Sequence, residues 1–102
     1  GVSDSDMTAA VNRLKELRGG MVVIDNEKII SELALPIGGL MTFLSAYETA
    51  DRINKLRDAA HSLGVSYNID PFMTLSFVSL PVIPSLRLTT LGVFDVKQFK
   101  II

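Results

Sequence analysis

The sequence has few residues able to do chemistry. It contains one histidine, His61, and no cysteine. A hydrolytic metal centre needs several His and carboxylate ligands that converge on one or two ions, and only Asp58 lies near His61 along the chain. The lack of cysteine excludes thiolate catalysis, disulfides and cysteine metal sites, and no nucleophile-elbow pattern is present. We therefore expect neither catalytic nor metal-binding residues in this chain.

Charge and hydropathy narrow the classes of partner. The formal net charge of −1 gives no reason to expect nucleic acid or an anionic membrane. Two stretches, residues 33–47 and 71–86, carry no charged side chain. Both are shorter than the roughly 20 apolar residues of a spanning helix, and prolines interrupt them, so we predict no membrane segment. The first residue, Gly1, is not a methionine, which suggests a piece of a longer protein.

The first third of the chain predicts a helix and two strands. Ser3 with Asp6 three residues later is typical of a helix N-terminus, and Gly19-Gly20 of a helix end. Residues 21–24 form an unbroken apolar run, which predicts a central strand buried on both faces. Residues 28–35 predict a second strand in which Ile29, Leu33 and Leu35 share a face.

The middle of the chain predicts a turn and the longest helix. Gly38-Gly39 indicates a tight turn that leads into a short helix; it lacks the fingerprint and partner residues of a phosphate-binding loop. Ser45 and Glu48 form a capping box, and Gly64 ends the helix that follows. Its predicted buried stripe consists of Ala46, Ala50, Ile53, Leu56, Ala60 and Leu63. We expect Glu48–Arg52 and Asp51–Lys55 pairs on its solvated face.

The last third is the most apolar part. Residues 73–80 mostly alternate apolar side chains with Ser and Thr, which predicts a strand with a polar face that includes Thr74 and Ser76; a helix remains possible there. Residues 86–88 and 93–96 predict further strands. The whole predicts a single α+β domain, with a mixed, largely antiparallel sheet packed against two main helices.

Several segments carry a family resemblance. Residues 35–41 (LPIGGLM), 70–77 (DPFMTLSF) and 80–84 (LPVIP) occur in the order and spacing of the C-terminal domain of bacterial adenine deaminase, a metal-dependent amidohydrolase. The resemblance covers nearly the whole chain. It departs from the family at Thr90-Leu91, where the family usually has Asp-Arg, so any role of that pair is not carried over.

The resemblance implies a function for a parent enzyme. That enzyme would hydrolyse adenine to hypoxanthine and ammonia in purine salvage, in the cytoplasm. Its upstream amidohydrolase barrel would hold a divalent metal (manganese, iron or zinc). Residues 1–102 would then be an accessory domain, inactive alone, that packs on the barrel of the same chain or on another subunit of a homo-oligomer, with no nucleic-acid or membrane partner.

The candidate pocket or interface residues are Gly38, Gly39, Met41, Phe72, Thr74 and Ser76. Hydroxyl groups of Thr74 and Ser76 are able to hydrogen-bond a purine edge if they reach the adenine pocket; a structural strand and turn are the simpler interpretation. Two other classes of function stay open. One is a free-standing interaction or regulatory domain with an apolar binding surface, and the other is a small-molecule binding module, which would need a pocket.

Overall fold

The computed structural model describes all 102 residues and contains two compact units, Gly1–Tyr67 and Asn68–Ile102. The predicted α+β class is confirmed, and all strand pairs are antiparallel. The strands form a two-stranded sheet and a separate three-stranded sheet instead of one mixed sheet.

Helix α1 (Asp4–Leu17) begins and ends where its local sequence directs. The Ser3 hydroxyl accepts a hydrogen bond from the Asp6 backbone N–H at 3.1 Å, which satisfies one of the free donors of the first turn. At the other end Arg18 takes the left-handed conformation (φ 58°), and Gly19 follows with φ 122°. The predicted cap and helix end are therefore confirmed, with Arg18 as the C-cap residue.

Strands β1 (Gly20–Asp25) and β2 (Lys28–Ala34) form a hairpin. Asn26 and Glu27 connect them, both at positive φ, and the Asp6 carboxylate accepts a hydrogen bond from the Glu27 N–H at 2.7 Å. The prediction that β1 is a central strand buried on both faces is wrong. β1 has one neighbour, and Val23 alone among its residues is buried.

A bulge in β2 explains a second correction. Val23 pairs with Ser31, whereas the next residue, Ile24, pairs with Ile29. Ile30 is therefore an extra residue in β2 that has no partner in β1. An extra residue reverses the side on which the following side chains lie. Ile29 is consequently exposed, whereas Leu33 and Leu35 are buried, so the three do not share one buried face.

Helix α2 (Ala46–Ser62) has the predicted capping box, with both reciprocal hydrogen bonds between Ser45 and Glu48. The predicted short helix before it is absent, since residues 42–45 are irregular. Of the predicted stripe, Leu56 and Ala60 are buried and Ile53 is partly buried, while Ala46, Ala50 and Leu63 near the two helix ends are exposed. The Lys55–Asp51 ion pair forms at 2.7 Å; Glu48 instead bonds Ser45.

The buried core lies entirely in the first unit. It consists of Val23, Leu33, Leu35, Leu56, Ala59 and Ala60.

The second unit begins with helix α3 (Pro71–Ser76), continued by a 3-10 helix (Phe77–Ser79). The predicted strand over residues 73–80 is wrong. Asp70 Oδ1 accepts hydrogen bonds from the N–H groups of Phe72 (3.0 Å) and Met73 (2.9 Å). Pro71 occupies the first helical position, where a backbone N–H would have no partner within the helix, so its missing N–H costs no hydrogen bond. This N-cap favours a helix here, although the alternation of apolar and polar residues favours a strand.

Strands β3 (Leu86–Thr89), β4 (Gly92–Asp95) and β5 (Lys100–Ile101) follow as an antiparallel meander. The two predicted strands and the turn between them are confirmed. Phe94 and Phe99 pack edge to face with ring centroids 5.3 Å apart. None of the helices of either unit combines the length and apolar character that crossing a membrane requires.

Candidate functional site

The Gly38-Gly39 turn is a tight, well-defined reversal of the chain. Gly38 (φ 62°) and Gly39 (φ 74°) occupy its two central positions, and the Leu40 N–H donates to the Ile37 carbonyl at 3.1 Å. Positive φ at both central residues is the requirement of a type I′ turn, which glycine meets without strain. Ile37 and Met41 close it with backbone hydrogen bonds in both directions, at 3.1 and 3.2 Å. The structure thus assigns both glycines a conformational role.

Apolar side chains stand exposed directly after this turn. We call them the turn patch: Leu40, Met41, Phe43, Leu44 and Tyr47. The side chain of Phe43 is 83% exposed, whereas phenylalanine is among the residues most often buried in folded proteins. Aromatic side chains are enriched in protein interfaces relative to the rest of the surface.

A shallow depression of about 260 Å³ adjoins the turn patch. Phe43 and Leu44 line one part of it, and Glu32 and Arg52 supply its charges. The Arg13 guanidinium, which hydrogen-bonds Glu32, holds the pKa of that carboxyl below its ordinary value of 4.5. The depression is shallow and exposed apolar side chains border it, so an apolar contact surface suits this region.

The other predicted site residues lie on α3. The Thr74 hydroxyl donates to the Asp70 carbonyl at 2.7 Å, and the Ser76 hydroxyl donates to the Met73 carbonyl at 2.7 Å. These contacts replace the polar strand face expected from the sequence, because helical backbone places the carbonyls of earlier residues within reach of each hydroxyl. Both hydroxyl protons are engaged, and only the oxygen lone pairs remain available to a partner.

Most exposed side chains around α3 are apolar, with the hydroxyl groups of Thr74, Ser76 and Ser79 among them. We call the apolar side chains the helical patch: Met73, Leu75, Phe77, Val78, Leu80 and Val82. Leu75 is 65% exposed. No charged residue occurs in residues 71–86, so no charge interrupts the patch along the chain.

The six candidate residues therefore fall into two groups. Gly38, Gly39 and Met41 belong to the turn in the first unit; Phe72, Thr74 and Ser76 belong to α3 in the second. The six candidate residues include few members of the patches, although the two uncharged stretches, residues 33–47 and 71–86, contain all of them. The signal for the patches was the apolar residues next to Gly38-Gly39 and Asp70-Pro71. The first pair forms a turn and the second begins a helix, and the apolar residues beside both are exposed.

His61 has a local role in the first unit. Its Nδ1 lies 2.9 Å from the Val65 carbonyl oxygen, and its ring stacks on Tyr67 with centroids 4.2 Å apart. It is partly buried near the end of α2. No group of three or more His, Asp or Glu side chains is arranged to hold a metal ion.

Comparison with known proteins identifies the family. The family model described as the adenine deaminase C-terminal domain matches residues 1–100. Adenine deaminase 2 of Carboxydothermus hydrogenoformans is 48% identical over 102 residues, which are 100% of this chain and 18% of that protein. Adenine deaminase 1 of Rhizobium johnstonii is 48% identical over 103 residues, with the same coverage.

A more distant relative agrees. The adenine deaminase of Bacillus subtilis is 42% identical over 100 residues, which cover 98% of this chain and 17% of the relative. No solved structure matches this chain. The chain belongs to the adenine deaminase C-terminal domain family, and it spans less than one fifth of the length of the curated relatives that it matches.

Proposed function

We propose that this chain is the accessory C-terminal domain of an adenine deaminase that hydrolyses adenine to hypoxanthine and ammonia in purine salvage. The observation that carries the proposal is the family match over residues 1–100, together with relatives named adenine deaminase that match over the full chain. In those relatives the matching part is 18% of the protein, so most of the enzyme would lie outside this chain.

The residues of this chain do not fit a catalytic metal ion. His61, the one histidine, bonds a backbone carbonyl and stacks on Tyr67, and no acidic cluster adjoins it. We assign the divalent metal (manganese, iron or zinc) to an upstream amidohydrolase barrel. On this proposal the chain has no deaminase activity alone.

The contribution of the domain would be docking. The turn patch and the helical patch expose large apolar side chains that a free-standing domain would normally bury. Their chemistry suits contact with the barrel of the same chain or with another subunit of a homo-oligomer. A parent enzyme of this kind would work in the cytoplasm.

A direct contribution to the adenine pocket is the sharper alternative. It requires the Thr74 or Ser76 hydroxyl to bond the purine, and the engaged protons limit both groups to accepting a hydrogen bond. The structural role of the two hydroxyls and the turn geometry of Gly38-Gly39 favour support over substrate contact.

Three proteins test the proposal. They are the full-length gene product, the same product without residues 1–102, and the 102-residue chain alone, each assayed for ammonia release from adenine with added manganese. We expect activity in the full-length protein, lower thermal stability of the truncated one, and no activity in the chain alone. A truncated protein with unchanged activity and stability would contradict the supporting role.

A further inference from the structure

The second unit, Asn68–Ile102, has no core of its own. None of its residues is buried, and every member of the buried core belongs to the first unit. Units shorter than about 40 residues usually need disulfides, a metal or association to fold. This unit contains no cysteine, and no residues in it are arranged to hold a metal. Its capped helix and small sheet therefore rest on hydrogen bonds and on partly buried contacts such as the Phe94–Phe99 pair, and not on a buried core.

The chemistry of the unit defines what covers it. The helical patch consists of aliphatic, methionine and phenylalanine side chains, and residues 71–86 contain no charge. A charged partner surface would lose its hydration there and gain no ion pair in return, which costs free energy. The surface that covers the patch must therefore be apolar and uncharged.

We infer that the helical patch docks on the upstream part of its own parent chain, and that the second unit becomes stable only in that contact. This inference rests on the proposed function, because it requires a parent chain. The matched relatives carry more than four fifths of their length outside the part that resembles this chain. A covalently linked surface is present at a high effective concentration, so it outcompetes a second copy of this chain for the same patch.

The first unit provides an internal control. It has its own buried core around Leu56, which is 0% exposed, and a hairpin closed by backbone hydrogen bonds. Its stability should therefore depend little on the rest of the parent. The inference is specific: one unit changes between the two contexts and the other does not.

Hydrogen exchange followed by mass spectrometry tests the inference on the 102-residue chain and on the full-length gene product. We expect amides of residues 71–82 to exchange at least about tenfold more slowly in the full-length protein, since docking suppresses local opening. Amides of residues 52–60 in α2 should change far less. Equal exchange of residues 71–82 in the two proteins would overturn the inference.

A charged substitution provides a second test. Leu75→Glu places a charge in the helical patch, and Leu91→Glu places one on an exposed leucine in the turn between β3 and β4. We expect Leu75→Glu to leave the exchange pattern of the isolated chain unchanged but to abolish the extra protection of residues 71–82 in the full-length protein. Leu91→Glu should preserve that protection. Full protection with Leu75→Glu would contradict the inference.

Two further readouts separate the possible failures. Protection of residues 71–82 that rises with the concentration of the isolated chain would assign the patch to a second copy and overturn the inference. A full-length product that protects these residues but releases no ammonia from adenine would support the docking and refute the proposed function.

Discussion

At the scale of residues, a bidentate side-chain contact joins α1 to β2. The Arg13 guanidinium donates to both carboxylate oxygens of Glu32, from Nε to Oε2 and from Nη2 to Oε1, each at 2.8 Å. It also bonds Glu16 at 2.7 Å. Such a bidentate contact fixes the relative orientation of the two side chains and also contributes stability. It holds α1 to the hairpin within the first unit.

The first prediction concerns the pH dependence of this contact. Arg13 lowers the pKa of Glu32 below its ordinary value of 4.5, so the contact stabilises the folded chain above that pH and is lost as the pH falls through the folded-state pKa. We expect Glu32→Gln to lower Tm at pH 7, and the difference from the unsubstituted chain to shrink below about pH 4.

Thermal unfolding followed by circular dichroism between pH 3 and pH 7, a range set by the usual carboxyl pKa of about 4, provides the measurement. The matched control is Asp58→Asn, a carboxylate removed from an exposed position of α2. A Tm difference for Glu32→Gln that stays constant over the whole pH range would contradict the assigned cause.

The second prediction concerns Ser76. Because its hydroxyl donates to the Met73 carbonyl within α3, we expect Ser76→Ala in the full-length enzyme to lower Tm slightly and to leave KM for adenine unchanged. Ser79→Ala, which removes an analogous contact to the Ser76 carbonyl at 3.2 Å, is the control. A raised KM for Ser76→Ala alone would place this residue in the adenine pocket instead.

At the scale of elements, predictability follows how local each signal is. Helices α1 and α2 were predictable because Ser3, Ser45 and Glu48 cap them through nearby contacts. Helix α3 was the alternative to the predicted strand, because the alternating pattern favoured a strand although Asp70-Pro71 sets a helical first turn.

The positions of strands were harder to predict than their existence. Apolar runs marked β1 and β2, but the extra residue Ile30 depends on pairing between two segments and has no local signal. The candidate site follows the same rule. The Gly38-Gly39 turn was predictable from composition, while the extent of the exposed patches depends on which faces the rest of the chain leaves uncovered.

The third prediction compares two glycines. A Cβ added to Gly19 would lie 2.5 Å from Gly39 Cα, where backbone has no room to shift, and φ there is 122°. Gly38 has φ 62° and open space around its added Cβ. We expect Gly19→Ala to lower the free energy of unfolding by about 2–4 kcal/mol and Gly38→Ala by about 1 kcal/mol.

Urea denaturation of the 102-residue chain measures both values. Equal decreases in the free energy of unfolding for the two variants would show that the close approach of Gly19 to Gly39 does not affect stability.

At the scale of the whole molecule, few apolar side chains are buried and many are exposed. Its buried core comprises six side chains, while phenylalanine, tyrosine, leucine and methionine side chains are exposed in both units. Soluble proteins that are complete on their own rarely expose large apolar patches. The sequence indicated this excess through its two uncharged stretches, residues 33–47 and 71–86, but it could not identify the surface that would cover them.

The fourth prediction concerns this surface. We expect the isolated chain to increase the fluorescence of a dye that binds exposed apolar surface, and the full-length gene product to do so much less per mole. Phe43→Ser combined with Leu75→Ser should reduce the signal of the isolated chain, whereas substitution of the exposed polar residue Asn54 by Ser should not. No dye binding by the isolated chain would argue against an interface on either patch.

The most direct test of the central claim is the intact mass of the native gene product together with its ammonia release from adenine in the presence of manganese. We expect a chain several times longer than 102 residues that releases ammonia. A native product near 11.1 kDa without activity would contradict it and identify a free-standing interaction domain.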